Sequence, residues 1–202
     1  MKKAYSIVEI VITLGIIGLI SAVTLPAFNQ GAKDKQYRTK VFKAYGSIAQ
    51  ATDMLLQEYR STKYFPADLN SAYAKYLNVV KTCPPATGCN TTDKIKLATG
   101  GDDYLYGDKG LMLADGVSLI IGRGVGAVVN YGLSDDDKAN AFATIHIDAN
   151  GPLPPNKWGV DHWLALIVNG KGIVPSGADH TTATSGGCVK TYGCLSDIVK
   201  DK

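Results

Sequence analysis

The sequence predicts an α+β protein, in which a long N-terminal helix packs on a small antiparallel sheet and a disulfide-bearing C-terminal loop region follows. Three observations carry this. An uncharged apolar run from Ile10 to Phe28 continues into a helical pattern, short strand segments with Asp-Gly and Asn-Gly turns fill the second half, and four cysteines stand as two equally spaced pairs. The chain has 202 residues, 46% hydrophobic and 19% charged, with a formal net charge of +3. Its mean hydropathy is near zero. These values exclude a collagen, a low-complexity disordered tail, a polytopic membrane protein and a strongly cationic nucleic-acid binder. A chain of this length buries a core without disulfides, so its cysteines call for an explanation in compartment or chemistry.

As a helix rising about 1.5 Å per residue, the run from Ile10 to Phe28 is roughly 28 Å long, which matches a bilayer core of about 30 Å. A transmembrane or filament-core helix over residues 5–28 is therefore expected. A secretory signal peptide is the alternative, with Lys2 and Lys3 as its basic start. Against it, the run exceeds the usual apolar stretch of about 7–15 residues, and no A-x-A cleavage site closes it. Glu9 stands at the start of the run, where an ionised carboxylate deep in lipid costs on the order of 2.5–3.5 kcal/mol. Either it is wet at the headgroup level, or it is kept for a partner inside an apolar assembly. Gly18 and Ala22 have the spacing that lets helices approach closely, or are ordinary small residues of such a helix. Pro26 is expected to kink or locally melt the helix around Ala22 to Thr24.

Lys2-Lys3-Ala4, then Tyr5-Ser6-Ile7-Val8-Glu9, the apolar run and Pro26 lie in one register. This set resembles the N-terminal signal of type IV pilins and of the pseudopilins of type II secretion, closely over about the first 55 residues and in outline beyond. Ala4 stands where the family usually has glycine, and Tyr5 where it usually has phenylalanine. The resemblance implies a leader of residues 1–4, cleavage between Ala4 and Tyr5 by a prepilin peptidase, and N-methylation of Tyr5. It also implies that Glu9 pairs with the charged terminus of a neighbouring subunit, with Tyr5, Glu9 and Pro26 serving assembly. The implied protein is a structural subunit and not an enzyme. It sits in the bacterial inner membrane against lipid, then joins other pilin subunits in a periplasmic or cell-surface filament through an assembly platform with a separate ATPase. Two alternatives stand beside the pilus: a type II secretion pseudopilin acting in protein export, and a membrane-tethered exported binding domain that does not polymerise.

Beyond the run, Val41, Tyr45, Ile48, Thr52, Leu55 and Tyr59 recur at alternating spacings of four and three. They draw one helical face, so residues 29–60 form the amphipathic second half of a helix from about Tyr5 to Arg60. A coiled-coil seam would need a longer repeat. Residues 61–202 form a globular head. Within it, turn formers crowd residues 61–109, read as a variable surface connection containing a short helix from Ala67 to Leu77 capped by Asp68 or Pro66. An antiparallel sheet of three or four strands follows over about 110–175. Leu111 to Ile121 turns at Asp115-Gly116, Ala141 to Ile147 adds a strand, and His162 to Val174 turns at Asn169-Gly170. Residues 176–202 form the C-terminal disulfide loop.

Cys83 and Cys89 enclose five residues, as do Cys188 and Cys194. An even count in an exported head points to disulfides, and the spacing is not that of a C-x-x-C metal or redox motif. Two local bridges, Cys83–Cys89 and Cys188–Cys194, are favoured because proline or glycine in each gap turns the chain back; cross-pairing is the rival. Asp148, Asn150 and Asp161 flank a Gly/Pro-rich turn and are hard oxygen donors suited to calcium. Calcium in a C-terminal loop is also a trait of major pseudopilins, and the alternative is a loop in which Asp148 and Asn150 cap turns. Gly122 to Ala127 imitates a dinucleotide-binding turn without the βαβ unit around it, so its glycines are assigned to a bulge or turn. His146, His162 and His180 lack metal-ligand spacing, and no nucleophile elbow, kinase set or P-loop is present. Asp135 to Asp137 reads as a solvated loop or helix cap, and Trp158 and Trp163 as packing residues. Lys33, Lys35, Arg38, Lys40 and Lys43 suit lipid headgroups or acidic neighbours, and no specific nucleic acid is expected.

Overall fold

The computed structural model describes residues 6–84, 89, 94–104, 109–123, 131–179, 188 and 193–200, with the backbone alone at 23, 25–30 and 104. Ala4, Tyr5, Gly124 to Ala127 and His180 lie outside the described residues, as does the side chain of Pro26. The chain divides into two compact units, Met1–Gln36 and Tyr37–Lys202.

Helix α1 (Ile7–Tyr59) is continuous. Residues 22–24 remain helical, so the expected melting near Pro26 does not occur. Proline removes one N–H from the ladder, and Thr24 Oγ1 donates to Ile20 O at 2.9 Å in the same stretch. In the first unit the large apolar side chains from Ile7 to Ile20 are exposed, Ile7 at 80% and Leu19 at 73%. Among the described residues no helix is long and apolar enough to cross a membrane, and the expected span from Ile10 to Phe28 lies in part outside the described side chains.

In the second unit, α1 buries Val41, Ala44, Ile48, Ala51, Thr52 and Leu55, with Tyr45 and Tyr59 half-buried beside them. The predicted face is present, widened by two alanines. After a 3₁₀ turn at Thr62–Tyr64 comes α2 (Leu69–Ala74), whose cap Asp68 accepts from Ser71 N at 3.1 Å. It is shorter than the expected Ala67 to Leu77. Asn70 on α2 donates to Ile121 O at 2.9 Å and accepts from Ile121 N at 3.3 Å, capping a strand peptide as a neighbouring strand would.

Among the described residues the sheet has six antiparallel strands rather than three or four. They are β1 (Val79–Cys83), β4 (Gly110–Leu113), β5 (Ser118–Arg123), β6 (Ala141–Asp148), β7 (His162–Val168) and β8 (Gly172–Pro175), in the order β1-β4-β5-β6-β7-β8. A two-stranded ribbon, β2 (Lys94–Lys96) with β3 (Asp102–Tyr104), stands apart. Strands β1 to β3 arise where a surface connection was expected. Val79, Val80 and Thr82 favour extended backbone, but the pairing of β1 with β4 is non-local and is decided by the sheet. The Asp115-Gly116 turn joins β4 to β5, with Gly116 at φ 83° and Val117 N donating to Asp115 Oδ1 at 3.2 Å. Asp135 to Asp137 open α3 (Asp135–Ala139), capped by Ser134, and Lys171 Nζ lies 2.5 Å from Asp137 Oδ1.

Both faces of the sheet are covered. Leu111, Leu119, Ile121, Ile145, Ile147, Trp163 and Ile167 join α1 and α2 in one core, while Ile95, Ile120, Leu133, Trp158, Leu164 and Leu166 form a second. Every residue of β7 is buried in consequence. Cys83 is bonded to Cys89 and Cys188 to Cys194. A short α4 (Ser196–Val199) follows the second bridge, and Leu195 and Ile198 enter the first core.

Candidate functional site

At the start of α1, Ser6 Oγ accepts from Val8 N at 3.3 Å while Ser6 N donates to Glu9 Oε2 at 3.3 Å. These two bonds form a variant of the capping box, in which Ser6 Oγ takes the N–H of Val8 in place of that of Glu9, and they satisfy donors that a helix start leaves without partners. Glu9 thus has a local role in addition to the expected role toward a partner. The Ser-x-x-Glu spacing signals it in the sequence. The large apolar side chains of the following turns are exposed.

The second candidate site is built by the β6–β7 hairpin. Asp148 closes β6 and His162 opens β7 as a cross-strand pair. The loop between them returns so that Asp148, Asp161 and His162 offer atoms within 4.8 Å of one another, all buried. His162 Nε2 lies 3.5 Å from Asp148 Oδ2, and Nδ1 lies 3.2 Å from Asp161 Oδ1. Asp161 also accepts from Asn156 N at 2.9 Å and Lys157 N at 2.6 Å, and Asp148 Oδ1 from Asn150 N at 3.0 Å and Gly151 N at 3.1 Å. Two carboxylates therefore gather four loop amides and one imidazole, and the loop is folded around them.

Asn150, the third expected ligand, turns its amide away to donate to Leu153 O at 2.9 Å and Pro154 O at 3.1 Å. Its Oδ1 and that of Asn156 are buried without a hydrogen-bond partner. Calcium takes about six to eight oxygens at about 2.3–2.6 Å. Here both Asp161 oxygens already accept backbone N–H groups, and a histidine ring stands between the two carboxylates. Asp148 Oδ1 thus caps the Asn150–Gly151 turn, while Asp148, Asp161 and His162 form a set whose ligand atoms could hold a metal ion. His162 lacks metal-ligand spacing in the sequence, yet the fold brings it into this cluster. The sign of its role was its place directly after Asp161 and at the far end of the loop that Asp148 begins.

Burial pushes the Asp148 carboxyl up to about 7, with His162 and the Asn150 and Gly151 amides pulling the other way. On the same hairpin burial pushes the His146 ring down to about 4, and His162 adds to the effect. His146 packs against Trp158, ring centroids 5.4 Å apart, and its Nδ1 is buried without a partner. These shifts act oppositely on stability. The raised Asp148 favours folding fully below its unfolded value of about 4, and this is lost as pH rises through about 7. The lowered His146 favours folding above 6.5, and this is lost as pH falls toward about 4. Between pH 7.5 and 5 the two offset each other. Asp148→Asn is expected to leave a chain that loses stability on acidification across this range, and His146→Phe one that gains it. Urea midpoints at both pH values check this, and parallel behaviour of the two variants would count against it.

Both tryptophans are buried, one in each core. Trp158 Nε1 donates to Asp103 Oδ2 at 3.1 Å, and Trp158 N donates to Lys96 O at 2.9 Å, which fastens the β2–β3 ribbon to the loop. No protein-family model matches this chain, and no curated protein or solved structure matches it either.

Proposed function

We propose that the chain is an exported, pilin-like structural subunit that assembles with further copies through the N-terminal part of α1. The observation that carries this is the outward apolar surface of that segment, where Ile7, Val11, Leu14, Ile17 and Leu19 are each more than half exposed behind a carboxylate at its start. Helices that share such faces bury them against one another. Burial contributes about 25 cal/mol per Å² of apolar surface, and Glu9 then sets register because its charge tolerates only a cationic neighbour. Two disulfides suit an oxidising compartment. In this reading a prepilin peptidase cuts before Tyr5, and the new terminus supplies the cation.

The test is recovery of polymer. Cells or membranes expressing the full chain are sheared, the released material is pelleted, and its N-terminus is read by mass spectrometry. Pelleted polymer beginning at Tyr5 is expected, with recovery of Glu9→Ala reduced by about tenfold or more, the scale of one uncompensated charge contact of about 1.4 kcal/mol or above. Polymer formation untouched by Glu9→Ala, or a mature chain beginning at Met1 or beyond Ala22, would refute the reading.

A further inference from the structure

In the β6–β7 hairpin Asp161 accepts from Asn156 N through Oδ2 and from Lys157 N through Oδ1, so this buried carboxylate also stands as an acceptor toward His162 Nδ1, 3.2 Å away. A carboxylate facing one ring nitrogen fixes the proton of a neutral imidazole there and leaves a lone pair on the other. That other nitrogen, Nε2, faces Asp148 Oδ2 at 3.5 Å. Asp148 is itself set in place by the Asn150 and Gly151 amides on its Oδ1. A lone pair and a carboxylate oxygen attract only through a cation between them. Their separation is long for an N–H···O bond of about 2.7–3.2 Å. It matches the edge of a coordination tetrahedron, in which bonds of about 2.0–2.2 Å place adjacent ligands about 3.3–3.6 Å apart. Asp161 then has the place of a carboxylate that orients a metal-bound imidazole through its second nitrogen.

A separate observation falls on the same hairpin. Among the described residues four buried side-chain atoms lack a hydrogen-bond partner, and besides Thr62 Oγ1 they are His146 Nδ1, Asn150 Oδ1 and Asn156 Oδ1. Such atoms are rare in folded proteins, and a bound ion is one of the few things that accounts for them. His146 precedes Asp148 by two residues on β6 and so shares its face of the sheet. Asn150 and Asn156 are the residues whose main-chain N–H groups bind the two carboxylates. An imidazole with a carboxylate is a donor set for zinc-class divalent ions, whereas calcium takes oxygens alone.

We propose that the β6–β7 hairpin holds a zinc-class divalent ion between His162 Nε2 and Asp148 Oδ2, with Asp161 as the positioning residue. The ion joins the two ends of the 149–161 loop, and the orphaned oxygens of Asn150 and Asn156 are donors for its remaining positions. Because Asp148, Asp161 and His162 are all buried, the ion enters as the head folds. The site lies in the head and does not depend on the assembly reading above.

The test uses the full-length chain in detergent, unfolded in urea with both disulfides intact and refolded with Zn²⁺, Ca²⁺ or EDTA. Loose metal is removed, bound metal is counted by elemental mass spectrometry, and the urea midpoint is measured. One zinc per chain is expected, with a higher midpoint after Zn²⁺ than after EDTA. His162→Gln and Asp148→Asn are expected to lose the zinc, and Asp161→Asn to bind it about 10–100-fold more weakly, the scale for a residue that orients a ligand. If His162→Gln does not refold, Asp148→Asn carries the test, since its amide oxygen still accepts from the two loop N–H groups. Less than a tenth of a zinc per chain, with equal midpoints in Zn²⁺ and EDTA, overturns the inference. So does a midpoint raised by Ca²⁺ and not by Zn²⁺, which would mean a site of oxygens alone. Zinc kept at full affinity by folded Asp148→Asn places the ion elsewhere and overturns it as well.

Discussion

Asp161→Ala is expected to lower the unfolding free energy of the head by about 3–5 kcal/mol, the scale for removing one partner from a buried charged cluster. The side chain is fully buried. Its loss leaves the Asn156 and Lys157 amides without acceptors and takes a carboxylate from His162. Each buried donor left without a partner costs about 1–3 kcal/mol. The loop also carries the Lys96 N to Asn156 O and Trp158 N to Lys96 O bonds, so the β2–β3 ribbon should loosen together with it. Asp161→Asn keeps an acceptor and should lose roughly half as much. Denaturant titration followed by Trp158 and Trp163 fluorescence measures both. A loss under about 1 kcal/mol for Asp161→Ala would show that the loop is held by other contacts.

The second large effect is expected at Gly177. Its φ is 78°, and an added Cβ would lie 2.7 Å from Cys194 Cβ and 2.7 Å from Ser196 Oγ. Neither neighbour can yield. Cys194 is bonded to Cys188, and Ser196 Oγ donates to Gly177 O at 2.8 Å while Ser196 N donates to Ser176 O at 2.9 Å. Gly177→Ala combines a left-handed backbone cost of about 1–2 kcal/mol with overpacking of about 1–3 kcal/mol. Gly170 is the control: its φ is also 78°, but nothing lies within 4 Å of its added Cβ. Gly170→Ala should therefore show only the backbone cost. Equal losses at the two sites would mean that the disulfide does not press on Gly177. A larger loss at Gly177, with earlier proteolytic release of the C-terminal segment carrying Leu195 and Ile198, is the expected result.

How far the sequence reached follows from how local each signal is. The long helix was legible because its evidence repeats every turn, from Val41 through Leu55. The two hairpins were legible because Asp115-Gly116 and Asn169-Gly170 state their turns in two residues each. The cap at Asp68 was legible for the same reason. The Ser6-Glu9 cap is equally local, its Ser-x-x-Glu spacing standing in four residues.

What the sequence by itself determined, then, is the α+β class, the amphipathic face of α1, the turns and an uncharged apolar segment. Only the tertiary structure decided the six-strand order, the second core behind the sheet and the placement of His162 between Asp148 and Asp161. Each of these depends on groups brought together from distant parts of the chain or across a long loop. Strand β1 exists because β4 offers it an unpaired edge, and β2 because Ile95 finds Trp158 and the strands of the second core. Asp148 and His162 meet because the hairpin register aligns them. Helical periodicity and turn chemistry are properties of a few neighbouring residues, whereas strand partners and buried charge clusters belong to the whole packed unit, so no short window of sequence contains them.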